Sequence, residues 1–401
     1  MRSLSLPVSV GPAARTSPPR PRMYSAMARL FGRGKKPALV QKNSGNGGGN
    51  TEKEDTSGTD KSWSASASAA REQRCASMAA HEGQATRQPS PEEQDGSDEP
   101  TEVCLCITPE SLTVGSCIGQ GSMCVIQKAV LANGRHVALK RPQPSLRGDE
   151  LAVADQDLSH EMLLLGSIQH RNILALEGAG CDSDGSRFIL LERFKCGTIR
   201  SYLNNFCVRH SLLDALDKAL QIASALEYMH DHALPGYTII HRDLKPDNIG
   251  LSEGGVVKLF DFGLCKVLEK KPAGSALSSE VYAMTPETGS QRYMSPEVSE
   301  HSPYNEKVDV YSFALVLWEL LTHKKPYVGM DVAELQRRVY RLGERPELSP
   351  KWDAALKQLL TSCWDYNHRK RLPCSQIMAE LHAIKARVAS KVKRNPFSRT
   401  Y

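Results

Sequence analysis

The chain has 401 residues, 40% of them hydrophobic and 24% charged, with a formal net charge of +6. That is enough apolar material for a sizeable core, and the length suits one two-lobed domain of about 280 residues plus a tail. The charge argues against a nucleic-acid-binding face: residues 1–50 carry nine Lys and Arg and no acid, residues 51–103 carry five basic against twelve acidic residues, and the rest is nearly balanced.

The eleven cysteines are odd in number and scattered, with no C-x-x-C, which indicates neither a zinc site nor a disulfide framework and fits a reducing, cytoplasmic setting. The longest apolar run, 310–321, is preceded by Asp309 and interrupted by Ser312 and Glu319. It is shorter than the roughly 20 residues a membrane span needs and reads as a buried core helix, so no transmembrane segment is expected.

Residues 1–104 are rich in Ser, Gly, Pro, Ala and Gln and are expected to be disordered, because such a segment buries too little apolar surface to offset its chain entropy. The first 40 residues, with Arg2, Arg15, Arg20, Arg22, Arg29 and Arg33 and no acid, admit two readings: an organellar transit peptide or a basic disordered arm. Their Pro and Gly content works against the amphipathic helix of the first.

Order is expected from about Leu105. Residues 111–118 and 124–131 alternate as strands do, and Asn133-Gly134 is a hairpin signal into 135–141, so the three form an antiparallel meander. Gly119-Gln120-Gly121 sits between two strands, whereas a dinucleotide-binding fingerprint opens a helix. A glycine-rich turn in this setting can lie over nucleotide phosphates. Val137-Ala138-Leu139-Lys140 ends the third strand. Residues 155–169 read as a helix with Leu158, Met162, Leu165 and Ile168 on one face and Glu161 on the same helix. The apolar strand 188–194 turns polar and suits a connector whose backbone pairs with an adenine edge. A long amphipathic helix, 212–232, then leads into His241-Arg242-Asp243-Leu244-Lys245-Pro246-Asp247-Asn248. That octet combines a proton acceptor, a metal ligand and two cations, as phosphoryl transfer requires. A hairpin over 249–260 returns Asp261-Phe262-Gly263 beside Asn248, so two oxygen ligands can hold Mg²⁺, a hard cation.

In this order the segments resemble eukaryotic protein kinases over about residues 111–387. His241–Asn248 matches H-R-D-L-x-x-x-N, Val137–Lys140 corresponds to V-A-I-K, His170–Leu174 resembles the H-x-N-I segment, and Tyr293-Met294-Ser295-Pro296-Glu297 looks like the A-P-E segment with Ser for Ala. The resemblance implies an α+β, two-lobed protein-kinase fold: a small antiparallel β-sheet N-lobe with one regulatory helix, and a larger, mainly helical C-lobe. Residues 388–401 would be a basic tail.

It also implies ATP-dependent phosphorylation of serine and threonine on protein substrates. Asp243 would be the catalytic base, Lys245 the companion seen in serine/threonine kinases, and Lys140 and Glu161 the activating ion pair. ATP would lie against Ile118, Gly119, Gln120, Gly121, Ser122, Ile126, Ala138, Lys140, Glu192, Phe194 and Gly250, with Leu191 as gatekeeper. Asn248 and Asp261 would hold Mg²⁺, Glu297 would pair with Arg371, and Asp309 would brace the catalytic loop. Asp309-Val310-Tyr311-Ser312-Phe313 and Cys363-Trp364 resemble the tyrosine-kinase-like branch.

Two residues depart from the pattern. Cys124 stands in place of the third glycine of the turn and is expected to restrict its backbone. Gly250 stands where the family usually puts Leu under the adenine, which predicts weaker ATP packing or a roomier pocket. The activation segment, 261–297, offers Ser275, Ser278, Ser279, Thr285, Thr288 and Ser290. Ser290 aligns with a hydroxyl that contacts the catalytic Asp, and Thr285 or Thr288 is the expected target of an upstream kinase, with Arg242 to order the phosphate. Any one of these hydroxyls also reads as plain loop solvation. A pseudokinase scaffold is the alternative to an active enzyme; Lys140, Asp243 and Asp261 all being present speaks against it.

Overall fold

The computed structural model describes residues 107–205, 211–270 and 290–394. The region expected to be disordered, its transit-peptide reading, and Thr285 and Thr288 lie outside them.

Alternating apolar residues build five strands: β1 (Leu112–Gln120), β2 (Cys124–Leu131), β3 (His136–Pro142), β4 (Leu176–Cys181) and β5 (Arg187–Glu192). They pair antiparallel in the order β1-β2-β3-β5-β4. Gly134, at φ 81°, makes the expected turn between β2 and β3. Val137 and Leu139 pack with Ala129, Phe188 and Leu190 on one face of the sheet, while Ala138 belongs to the main core on the other.

β4 was not expected, because Gly178 and Gly180 weaken any strand reading of its sequence. Its cause is tertiary. Ile107 donates its backbone N–H to Ala179 at 2.8 Å and lies across the strand. A Cβ on Gly180 would stand 2.1 Å from the Ile107 carbonyl oxygen and 2.5 Å from Phe188 Cζ.

The N-lobe helix α1 (Gly148–Ser167) starts well before the expected Asp155. Gly148 supplies a φ of 54° at its start, and Asp149 and Glu150 meet the positive end of the helix dipole. Its buried face is Ala154, Leu158, Glu161, Leu164 and Leu165.

The second lobe is mainly helical. It contains α2 (Ile199–Leu203), α3 (Leu212–Glu227) prolonged by a π turn at Tyr228–His232, and two small antiparallel pairs: β7 (Ile249–Leu251) with β8 (Val257–Leu259), and β6 (Tyr237–Ile240) with β9 (Lys266–Glu269). There follow α4 (Pro296–Ser299), α5 (Lys307–Thr322), α6 (Val332–Glu334) running into a π-helical stretch at Leu335–Arg341, α7 (Ala354–Cys363) and α8 (Cys374–Arg394). α5 is buried on every side from Val308 to Leu320, as a helix apolar all round must be. α8 buries Ile377, Leu381 and Ile384 and runs through Arg394, so the domain edge expected at 387 falls inside a helix.

The expected pair of Glu297 and Arg371 is present and buried, with Nη1 to Oε1 at 2.6 Å and Nη2 to Oε2 at 2.9 Å. It ties α4 to the loop before α8. Because Gly180 has no room for a methyl group, Gly180→Ala is expected to lower stability by about 1–3 kcal/mol, the cost of forcing atoms into a packed site. The midpoint of urea unfolding measures it.

Candidate active site

The loop after β6 takes its shape from one buried carboxylate. Asp309, fully buried on α5, accepts the His241 N–H at 2.8 Å and the Arg242 N–H at 2.9 Å, and Arg242 adopts a left-handed φ of 67°. His230, at the end of the α3 extension, reaches the same carboxylate at 2.9 Å through Nε2 and meets Cys374 Sγ at 3.5 Å through Nδ1. Burial alone would depress the His230 imidazole, but Cys374 and Asp309 raise its pKa to about 10. Burial would conversely raise Asp309, and the hydrogen bond and charge of His230 hold it below the usual carboxylate value. The two form an imidazolium–carboxylate pair.

With the loop so held, Asp243 collects three donors. Lys245 Nζ reaches its Oδ2 at 2.7 Å, Asn248 Nδ2 reaches Oδ2 and the backbone carbonyl at 2.9 Å each, and the Ser290 N–H reaches Oδ1 at 2.8 Å. Lys245 also bonds Ser290 Oγ at 2.7 Å, so the hydroxyl residue expected beside Asp243 is there. Phe260 donates its N–H to the Asn248 carbonyl at 3.1 Å, which brings the segment before Asp261 against the loop as the hairpin reading required.

A second cluster joins the lobes. Lys140 on β3 bonds Glu161 of α1 at 2.6 Å and approaches Asp261 at 3.4 Å. Burial would lower the Lys140 pKa, but the two carboxylates raise it above its ordinary value, so the ammonium stays charged. Asp261 has φ 67° and leaves 47% of its side chain exposed.

The residues expected around a nucleotide fall into two groups. Gly119 and Gln120 end β1, paired with Ile126 and Val125, Gly121 and Ser122 lie in the turn to β2, and Ala138 and Ile126 lie on β3 and β2, where Ile126 pairs with Lys140. Ile118 is 47% exposed. Glu192 turns its carboxylate away to Lys258 at 2.8 Å and donates its backbone N–H to Ala175 at 2.9 Å.

The structure places both unusual residues. Cys124 starts β2 with an ordinary negative φ and pairs with Pro142, so the position does not require glycine and the thiol costs no backbone strain. Its half-buried thiol is pushed up in pKa by desolvation, partly offset by Lys140. Gly250 does not leave an open floor: a Cβ built there would lie 2.7 Å from Phe194 Cε1 and Cζ, so the ring already holds that space.

Sequence reasoning missed three positions. Gln143 holds the turn from both ends of its amide: its Oε1 accepts Gln120 Nε2 at 3.2 Å, its Nε2 donates to the carbonyls of Gly121 and, at 3.0 Å, Ser122, and its N–H donates to the Met123 carbonyl at 2.9 Å. Its place between Pro142 and Pro144 gave no signal. His230 lies within the expected helix 212–232, where nothing in the sequence set it apart. Arg200 bonds Glu319 and, at 2.7 Å, the Tyr293 hydroxyl, which itself donates to Glu319 at 2.6 Å; the charge of Glu319 inside an apolar helix was the available clue.

The oxygen set fits a hard divalent cation. Asn248 spends its side-chain nitrogen on Asp243, which leaves its side-chain Oδ1 for a cation, and Asp261 supplies an accessible carboxylate across the hairpin.

The protein kinase domain family model matches residues 112–382. Among similar proteins, Serine/threonine-protein kinase VIK of Arabidopsis thaliana is 35% identical over 307 residues, which cover 75% of this chain and 65% of that protein. Serine/threonine-protein kinase STY46 of the same organism is 30% identical over 72% of this chain and 47% of its own length. Mitogen-activated protein kinase kinase kinase 7 of Drosophila melanogaster is 32% identical over 68% of this chain and 37% of its own. The chain thus spans less than two thirds of the length of these relatives.

The His230 pair has a defined pH dependence. Its folded pKa, about 10, lies above the ordinary 6.5, so its stabilisation is complete below pH 6.5 and is lost as pH rises through 10. Thermal melts should show His230→Asn less stable than wild type by about 3 kcal/mol near neutral pH, with the gap closing toward pH 10. Parallel melting curves would rule the charged pair out.

Proposed function

We infer that this chain, which belongs to the protein kinase domain family, transfers the terminal phosphoryl group of ATP to serine and threonine hydroxyls of protein substrates in the cytoplasm. The observation that carries the reading is the Asp243 carboxylate, fixed by Lys245, Asn248 and the Ser290 amide, with the Lys140–Glu161 pair closed above Asp261.

Phosphoryl transfer demands little covalent chemistry from a protein and much positioning. Asp243 is placed to orient a substrate hydroxyl and accept its proton. Lys245, bonded to that carboxylate and to Ser290, stands where negative charge accumulates. Lys140, kept charged by Glu161, faces the phosphates from β3. Asn248 and Asp261 would hold Mg²⁺. ATP would supply the transferred group, and a divalent cation held by Asn248 and Asp261 would offset its charge. The similar proteins above, two of them serine/threonine-protein kinases, support the serine/threonine class, as does Lys245.

Asp243→Asn should cut phosphate transfer from labelled ATP to a generic protein substrate at least 100-fold, the usual range for losing a general base. Equal transfer by both proteins would refute the enzymatic reading and favour a binding scaffold. We further propose that an upstream kinase phosphorylates Thr285 or Thr288. The Thr285→Ala/Thr288→Ala double variant should then show reduced transfer that phosphatase treatment does not lower further, while wild type loses activity on the same treatment; full activity of the double variant would refute this.

A further inference from the structure

Gln143, in the link between β3 and α1, carries the ladder between β2 and β3 one step past the Cys124–Pro142 pair: its N–H donates to the Met123 carbonyl at 2.9 Å. Its side-chain nitrogen takes the two carbonyls before that one, Gly121 and, at 3.0 Å, Ser122, while its Oε1 accepts Gln120 Nε2 at 3.2 Å. Gly121 donates its own N–H to the Cys124 carbonyl at 2.9 Å, which closes the turn on itself. A trans peptide unit is planar, with the C=O of one residue and the N–H of the next pointing in opposite directions. One side chain that draws in the carbonyls of Gly121 and Ser122 therefore turns the N–H groups of Ser122 and Met123 to the opposite side, and neither N–H has an acceptor among the described residues. The turn also ends beside the charged cluster: Lys140, Glu161 and Asp261 all act electrostatically on the Cys124 thiol that follows it.

We propose that Gln143 is a positioning residue for phosphate binding: by holding the carbonyls of the turn it keeps the Ser122 and Met123 N–H groups aimed at the phosphates of a bound nucleotide, and so sets how strongly the protein prefers a nucleotide to the bare nucleoside. Backbone amides gather an anion only when several converge on it, and a loop free to rotate its peptide planes loses that convergence. A glycine at position 124 would leave those planes freer. Here Cys124 is committed to β2, and Gln143 does the aiming. This rests on the nucleotide-binding half of the function proposed above and adds the residue outside the turn on which its phosphate contacts depend.

The test uses the full chain and two variants, Gln143→Glu and Gln143→Ala, with thermal melting to confirm that each folds. Gln143→Glu keeps the size of the side chain but removes the donor, since an ionised carboxylate only accepts hydrogen bonds. Calorimetric titration with ATP and with adenosine reads the two halves of the ligand apart. Both variants should bind ATP about tenfold more weakly than wild type, on the scale of one charge-assisted hydrogen bond lost to the phosphates, and should bind adenosine as wild type does. Unchanged ATP affinity in Gln143→Glu would overturn the proposal. So would ATP and adenosine affinities that fall together, because Gln143 would then support the fold and not the phosphate contacts. The titrations need no turnover: a wild type that binds ATP yet transfers no phosphate would sink the enzymatic reading while the ATP-to-adenosine comparison still decides this one, and a wild type that binds no ATP would sink both.

Discussion

The catalytic loop depends on a carboxylate that never reaches solvent. Asp309 sits in the first turn of the apolar helix α5 and receives two consecutive backbone amides and one imidazolium. A lone charge there would be expensive to bury, and the three donors offset the cost. Because the amides belong to His241 and Arg242, the arrangement fixes where the next residue, Asp243, emerges. Arg242 holds a left-handed conformation that an arginine adopts only when its surroundings impose it, and the two Asp309 oxygens do so.

The rest of the site is assembled from elements that each bring one partner. β3 carries Lys140, α1 carries Glu161, and the β7–β8 hairpin carries Asn248 at one end and Asp261 beyond the other. Ser290, at the start of the segment that leads to Glu297, closes on Asp243 and Lys245. Glu297 in turn is locked to Arg371 and Tyr293 to Glu319 and Arg200, so the segment that follows Ser290 is bolted at both of its visible ends to the helical lobe. Electrostatic pairing of this density positions charge before any substrate arrives, which is what catalysis by preorganisation requires.

Much of this was legible in the sequence because its chemistry is local. His241 to Asn248 and Asp261 to Gly263 are contiguous, and the hairpin that joins them follows from turn residues between two short apolar runs. What escaped was non-local. β4 exists as a strand because Ile107 lies over its glycines. α1 begins early because Gly148 and two acidic residues make a serviceable start where the apolar pattern alone gave none. Gly250 and Phe194 each looked like an isolated fact, an absence at one place and a connector residue at another, and only their juxtaposition shows that one fills the other.

Gln143 belongs to the short link between β3 and α1, and it grips the carbonyls of Gly121 and Ser122 while its own amide holds Met123. The glycine turn is therefore not an independent flap. It is geared to the same strut that carries α1, and hence Glu161, toward Lys140. Swinging the helix outward would drag the turn off its seat, so a single mechanical coordinate would shift the turn and break the ion pair together.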